Sequence, residues 1–169
     1  MNYRFNNRIW SNILTLLLLA VICITGTLSI VPNALALDYN KESLIRADFS
    51  GRDLTDSSFA HANLRYSNFS HTNLQGVSFF AANLESANFE GADLRNATLD
   101  SARLTKANLK NAVLEGAFAA NTKFDGVIVD GADFTDVLLR RDAQYTLCKV
   151  AQGTNPTTGR ATRDTLFCP

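Results

Sequence analysis

The side chains able to run acid–base, metal or thiol chemistry are few: His61 and His71, Cys23, Cys148 and Cys168, and 16 carboxylates set among 16 lysines and arginines. A proton-transfer pair or a metal site needs such groups within a few ångströms of each other. Two histidines ten residues apart can cooperate only if the fold brings positions at that spacing together. Cys148 and Cys168 have no histidine or third cysteine near them in the chain, which disfavours zinc with its four ligands. No nucleophile elbow, glycine-rich phosphate loop or His-Glu metal motif occurs. The residues therefore point to no catalytic set, no cofactor and no metal, and the expectation is a protein that is not an enzyme.

What places these groups is a period of five. A single register of large apolar centres runs Leu44, Phe49, Leu54, Phe59, Leu64 and onward to Phe134 and Leu139, and 18 of its 20 positions are Leu or Phe. Two residues before each centre the side chain is small, and in 11 cases it is Ala. The position between is mostly Asn, Asp, Ser or Thr. Five residues advance a helix by about 500° and so carry the apolar spots around it, while a strand alternates every two. Each unit must therefore contain a corner, and four such units close a square coil of about 20 residues whose centres and small residues point inward.

Residues 20 apart then lie on top of one another. Phe49, Phe69, Phe89, Leu109 and Val129 form one column, with Phe59, Phe79, Leu99, Ala119 and Leu139 opposite. The Leu44 and Leu54 series supply the other two sides, so rings and Leu side chains alternate between neighbours without leaving voids. In this frame His61 and His71 both fall at corners, half a coil apart and on opposite corners, which excludes a shared metal or acid–base pair.

The pattern A-[DN]-[LF]-x-x, as in Ala62-Asn63-Leu64, Ala92-Asp93-Leu94 and Ala107-Asn108-Leu109, resembles the pentapeptide-repeat family. The resemblance implies an all-β protein, a right-handed quadrilateral β-helix of about five coils and about 24 Å in height at the spacing of paired strands. An open solenoid end invites aggregation and so needs a cap. At the start Tyr39 to Ile45 are expected to cap, with Glu42 and Arg52 at small-residue positions marking an irregular first coil.

The domain reading is an export signal over 1–36, a solenoid over 37–139 and a C-terminal helical and loop cap over 140–169. Arg4 and Arg8 open the signal, Ile13 to Ile24 is apolar, and Ala34-Leu35-Ala36 is an A-x-A cleavage site. The alternative is an uncleaved anchor, since the apolar run can be extended to Val31. Removing the signal leaves Cys148 and Cys168, and an even pair in an exported chain is expected as a disulfide. Arg140 to Val150 carries Ala143, Leu147 and Val150 at helical spacing. Gly153 to Gly159 reads as a turn, and 160–165 as a polar run leading to Leu166-Phe167-Cys168-Pro169, the whole a helix, a loop and a returning tail. The run from Leu147-Cys148-Lys149 through Thr154-Asn155-Pro156 to Arg163 and Cys168 resembles the tails of pentapeptide proteins of the thylakoid lumen in cyanobacteria and chloroplasts. That resemblance implies the lumen, with the periplasm as the alternative.

On the outside, Glu90, Lys110 and Asp130 are expected to stack as a charge ladder, Arg95 over Glu115 as another, and Asp48, Asn68, Asn88 and Asn108 as an amide ladder. One side departs from this polar surface. Phe80, Phe118 and Leu138, with Ala60 and Ala120, form a candidate interaction patch. The small centre Ala119 beside it is expected to buckle the register between Ala117 and Thr122. Phe118 turning inward, or the cap covering Leu138, are the alternatives.

Residues 37–169 hold 14 basic and 16 acidic groups, net −2. The expected function is a binding or scaffolding module whose partner is a protein of unknown identity, with self-association through the apolar side as a second option. A membrane is met only through the signal segment. The competing reading is a DNA-mimicking topoisomerase inhibitor, as some members of the family are, but a near-neutral surface does not reproduce a dense phosphate charge, and export removes the chain from DNA. No nucleic-acid partner is expected. A polysaccharide-cleaving solenoid would need clustered carboxylates or an aromatic groove.

Overall fold

Each five-residue unit is one short extended side followed by a β-turn. The turn is closed where the small residue of the next unit donates its N–H to the centre's carbonyl, as from Ser57 to Leu54 at 3.0 Å and from Ala87 to Leu84 at 3.0 Å. The second turn residue is left-handed at corner after corner, including bulky Tyr66 (φ 60°) and Lys106 (φ 59°). Such a backbone is disfavoured for any L-residue other than glycine, so the stacked bonds of the coils must hold it.

The structure is a computed structural model that describes residues 36–169. Of the export signal expected over 1–36 only Ala36 falls among them, and that reading lies outside the described residues. From Asp38 onward, parallel bridges join each residue before a centre to the one 20 further on, as in Asp38↔Ser58, Ser43↔Asn63, Asp48↔Asn68 and Asp53↔Asn73. Those four pairs begin the four ladders, one for each side of the coil. Donors at the centres reach up the rod, as from Phe49 N–H to Asn68 C=O at 2.8 Å. Donors one residue earlier reach down, as from Asn68 N–H to Ala47 C=O at 2.9 Å.

The interior follows the 20-residue register. Phe49 stacks on Phe69 with ring centroids 4.9 Å apart, and Phe69 on Phe89 at 5.0 Å. Phe59 stacks on Phe79 at 5.3 Å, and the two columns meet edge to face at 5.4–5.7 Å. Offset and edge-to-face contacts of this kind stabilise beyond area burial alone, each by about 0.5–1.5 kcal/mol. The small position admits a hydroxyl where a carbonyl is in reach: buried Thr72 donates to Phe49 C=O at 2.9 Å and Thr122 to Leu99 C=O at 2.7 Å.

The first coil differs from the expectation. Tyr39 is a repeat centre rather than part of a cap, stacking on Phe59 at 4.7 Å. Glu42 and Arg52 leave the backbone regular, because both side chains are exposed and not in the interior; Arg52 places its guanidinium 5.6 Å from the centroid of the Phe49 ring.

After Leu139 the period ends. Helix α1 spans Arg141–Cys148 and helix α2 Thr162–Thr165. Helix α1 stops short of Val150, which is 50 % exposed; Leu147 and Ala151 are buried in its place. The polar run 160–165, read from sequence only as part of a returning tail, supplies α2, and its buried contribution comes from an unexpected source: Thr162 and Thr165 are buried along with Leu166. An antiparallel bridge, Thr154↔Ala161, closes the loop between the helices.

Candidate interaction surface

The exposed side chains sit in columns because the backbone ladders put like positions of successive coils in contact. The amide column is one example. Asn68 Nδ2 donates to Asp48 Oδ1 at 3.1 Å, Asn88 to Asn68 at 3.3 Å, and Asn108 to Asn88 at 3.0 Å. The Oδ1 atoms of Asp48, Asn68, Asn88 and Asn108 also cap their own corners, taking the N–H of Ser50, Ser70, Glu90 and Lys110 respectively. The Ser50 N–H bond is the main reason the Asp48 carboxyl lies below its ordinary value, and the Thr55 hydroxyl does the same for Asp53. The next residue of the amide column, Ile128, is apolar and 49 % exposed.

Of the expected charge ladders, Lys110 stands over Glu90 at 3.9 Å. Arg95 does not pair with Glu115. It turns to Asp93 two residues back, whose hydrogen bond raises the guanidinium pKa, and Glu115 is taken by Arg160 of the cap at 2.6 Å. A contact within one corner outcompetes the one between coils because the side chains there are already adjacent.

His61 and His71 lie in separate corner columns. His61 packs edge-on to Phe80 with centroids 5.5 Å apart. The His71 ring occupies the space beside Gly91, one coil further on, where a Cβ would come within 2.6 Å of its Nδ1. Among the described residues no three of His, Cys, Asp and Glu assemble a metal-binding set.

The three patch residues divide. Phe118 and Leu138 are direct ladder neighbours and are 52 % and 56 % exposed. Phe80 belongs to a coil two below Phe118, and the intervening coil presents Thr98 and Asp100 on this side. Phe118 stays outside while Ala119 fills the buried centre, and the cap leaves Leu138 uncovered. The expected buckle of the register does not occur, since Thr98↔Phe118, Phe118↔Leu138 and Arg103↔Lys123 keep the 20-residue spacing; only one corner departs. Asn121 lacks the left-handed backbone of the other corners, and its N–H and Nδ2 both bond Asp100 Oδ1 at 3.0 Å.

The cap is fastened to the last coil by polar contacts that period-reading could not find. Asn155, fully buried, donates Nδ2 to the carbonyls of Asn111, Ala112 and Gly131 at 3.2, 3.2 and 2.9 Å. Its Oδ1 accepts from the N–H groups of Thr157 and Thr158 at 2.9 and 3.0 Å. Asp133 is also fully buried and receives Arg160 Nε at 2.8 Å. Burial pushes the Asp133 carboxyl up, but the hydroxyls of Thr135 and Thr158, the Thr135 N–H and Arg160 together hold it below its ordinary value. The Glu115 hydrogen bond in turn raises Arg160. Gln152 C=O takes the Gly131 N–H at 2.8 Å, and Thr165 Oγ1 the Phe134 N–H at 3.1 Å. Cys148 and Cys168 are joined with their Cα atoms 5.5 Å apart, linking the end of α1 to the chain end.

A family model described as pentapeptide repeat region matches residues 37–109, and one described as pentapeptide repeats (8 copies) matches 102–141. Thylakoid lumenal 15 kDa protein 1, chloroplastic, of Arabidopsis thaliana is 68% identical over 40 residues, which are 24% of this chain and only 18% of that protein's length. The crystal structure of a pentapeptide repeat protein from the Arabidopsis thaliana thylakoid lumen is 48% identical and aligns over 79% of this chain and 86% of that one, with a TM-score of 0.62. A pentapeptide repeat protein from Nostoc Pcc 7120 is 32% identical over 61% of this chain and 84% of its own, with a TM-score of 0.52.

Proposed function

Because the chain belongs to the pentapeptide repeat family and resembles a lumenal member over most of both lengths, we propose that it is a non-enzymatic protein-interaction module of the thylakoid lumen. In this reading residues 1–36 direct export and are removed after Ala36. Residues 37–139 form a right-handed quadrilateral rod, and residues 140–169 close it with a disulfide. The observation that carries the interaction role is the break in the polar columns where Phe118 and Leu138, one directly above the other, are both more than half exposed. Apolar side chains held on a flat side whose strand register is unbroken offer a partner surface already ordered for binding, so little conformational entropy is lost on contact.

A photo-crosslinker placed at Phe118 in thylakoids should give one discrete adduct, with a partner or with a second copy. Leu138→Ser in the same chain should abolish it while the circular dichroism spectrum is retained. No adduct from the wild-type position, or an adduct unaffected by substitution of Leu138, would remove this side from the interaction. Import of the precursor into isolated thylakoids tests the address, a product beginning at Leu37 and protected from external protease being the expected result.

A further inference from the structure

Charge is divided unevenly along the chain: from Leu37 to Leu139 nine basic residues stand against 14 acidic, and from Arg140 to Pro169 five stand against two. On the outer side of the cap, α1 and the chain end enclose a groove of ≈ 410 Å³ lined by Arg141, Tyr145, Cys148, Lys149, Arg163 and Phe167 among others. Three of these are cations; no Asp or Glu side chain lines the groove, and the Pro169 carboxyl that also lines it is taken by Arg163, leaving the charges of Arg141 and Lys149 in excess.

Arg163 is committed to the scaffold. Its Nη1 donates to Cys148 C=O at 3.1 Å and its Nη2 to Pro169 O at 2.9 Å, so it ties the two walls together beside the disulfide. Arg141 and Lys149 belong to no ion pair among the described residues. Lys149 lies over the Tyr145 ring, its Nζ 4.4 Å from the centroid. Tyr145 and Phe167 are 64 % and 77 % exposed. Phe167 has a left-handed backbone, φ 50°, which a bulky residue keeps only when its surroundings hold it. Here the hold is its N–H bond to Asp164 C=O at 3.0 Å and the tethered Cys168 that follows.

We propose that this groove binds an acidic segment of a partner protein, which seats an apolar side chain between Tyr145 and Phe167 and brings carboxylates to Arg141 and Lys149. Opposite charge supplies the attraction and the register, and the two rings supply a preordered apolar contact. A concave site with its ammonium drawn down onto a ring suits an inserted side chain. An anionic bilayer would instead be met by projecting apolar side chains with cations extended alongside. The inference rests on the reading of the chain as an interaction module but concerns a different face from Phe118 and Leu138, so either can fail alone.

The test uses ¹⁵N-labelled Leu37–Pro169, drawn from the compact unit Ala34–Pro169 that contains every contact described above. It is titrated with the peptide acetyl-Glu-Glu-Leu-Phe-Glu-Glu-amide and with its Lys-for-Glu counterpart. The acidic peptide should give saturable shifts confined to the amides around Tyr145, Lys149 and Phe167, with a Kd at or below about 1 mM. Arg141→Glu with Lys149→Glu should weaken binding at least about tenfold, as should Phe167→Ser alone, with the solenoid amides unchanged. The Lys peptide should give no shifts at these residues. The proposal is overturned by the absence of saturable shifts, by an equal response to the Lys peptide, or by indifference to charge reversal. Flotation with phosphatidylglycerol vesicles without a peptide response would also overturn it and assign the groove to a bilayer.

Discussion

Replacing Asn155 tests whether the cap is held by one buried amide. The side chain makes five hydrogen bonds that Asn155→Ala deletes: its amide donates to the carbonyls of Asn111, Ala112 and Gly131, and its oxygen accepts two backbone N–H groups. Ala112 C=O keeps the Asp133 N–H, so that part of the loss is partly compensated. At about 0.5–1.5 kcal/mol for each net hydrogen bond, the cap should open more easily by about 2–4 kcal/mol. Asn155→Asp is the sharper substitution. It preserves acceptance from Thr157 and Thr158 but turns an oxygen toward three carbonyls in a fully buried place. At neutral pH it should therefore be worse than Ala, and the gap should narrow in acid once the carboxyl can donate a proton. Hydrogen exchange at the Gly131 and Phe134 amides reads this directly, because both are bonded to cap atoms, Gln152 C=O and Thr165 Oγ1. If Asp is as well tolerated as Ala at neutral pH, or if neither speeds exchange there, Asn155 does not anchor the cap.

Reduction of Cys148 and Cys168, or Cys→Ser at both, removes a cross-link across a sequence separation of 20. The cap should lose up to about 3 kcal/mol and become cleavable near the chain end while the rod stays intact, which intact mass and limited proteolysis before and after reductant will read. Asp133 sets a pH dependence. Its folded pKa is depressed, so its contribution is fully present above the unfolded carboxylate value of about 3.9 and is lost as pH falls through the lower folded value. Cap-amide exchange should accelerate in that acid window, and Asp133→Asn should flatten the response; an unchanged profile would mean Asp133 is not linked to cap docking.

How much was legible before the coordinates depends on whether a contact repeats. Leu44 to Leu139 announce themselves because the same five-residue choice is made 20 times, and a stack 20 residues apart follows from closing a square. The column memberships, the amide ladder from Asp48 to Asn108 and the corner placement of both histidines all follow from that frame. Each is a local geometry copied by the next coil. Tertiary structure decided what happens once. Asn155 reads in sequence only as half of a turn-forming Asn-Pro pair, and nothing local shows that it will reach carbonyls more than 20 residues away in the last coils. Thr162 and Thr165 look like surface residues until the rod end buries them. Arg95 and Glu115 were one coil apart in the frame, yet Asp93 and Arg160 were closer partners, and side-chain reach settled the competition. Phe80 parted from Phe118 because height along the rod, as well as side, determines which residues touch. A repeating backbone transmits its rules through the sequence, whereas a cap meets the rod through unrepeated contacts whose partners are chosen only when the chain has folded.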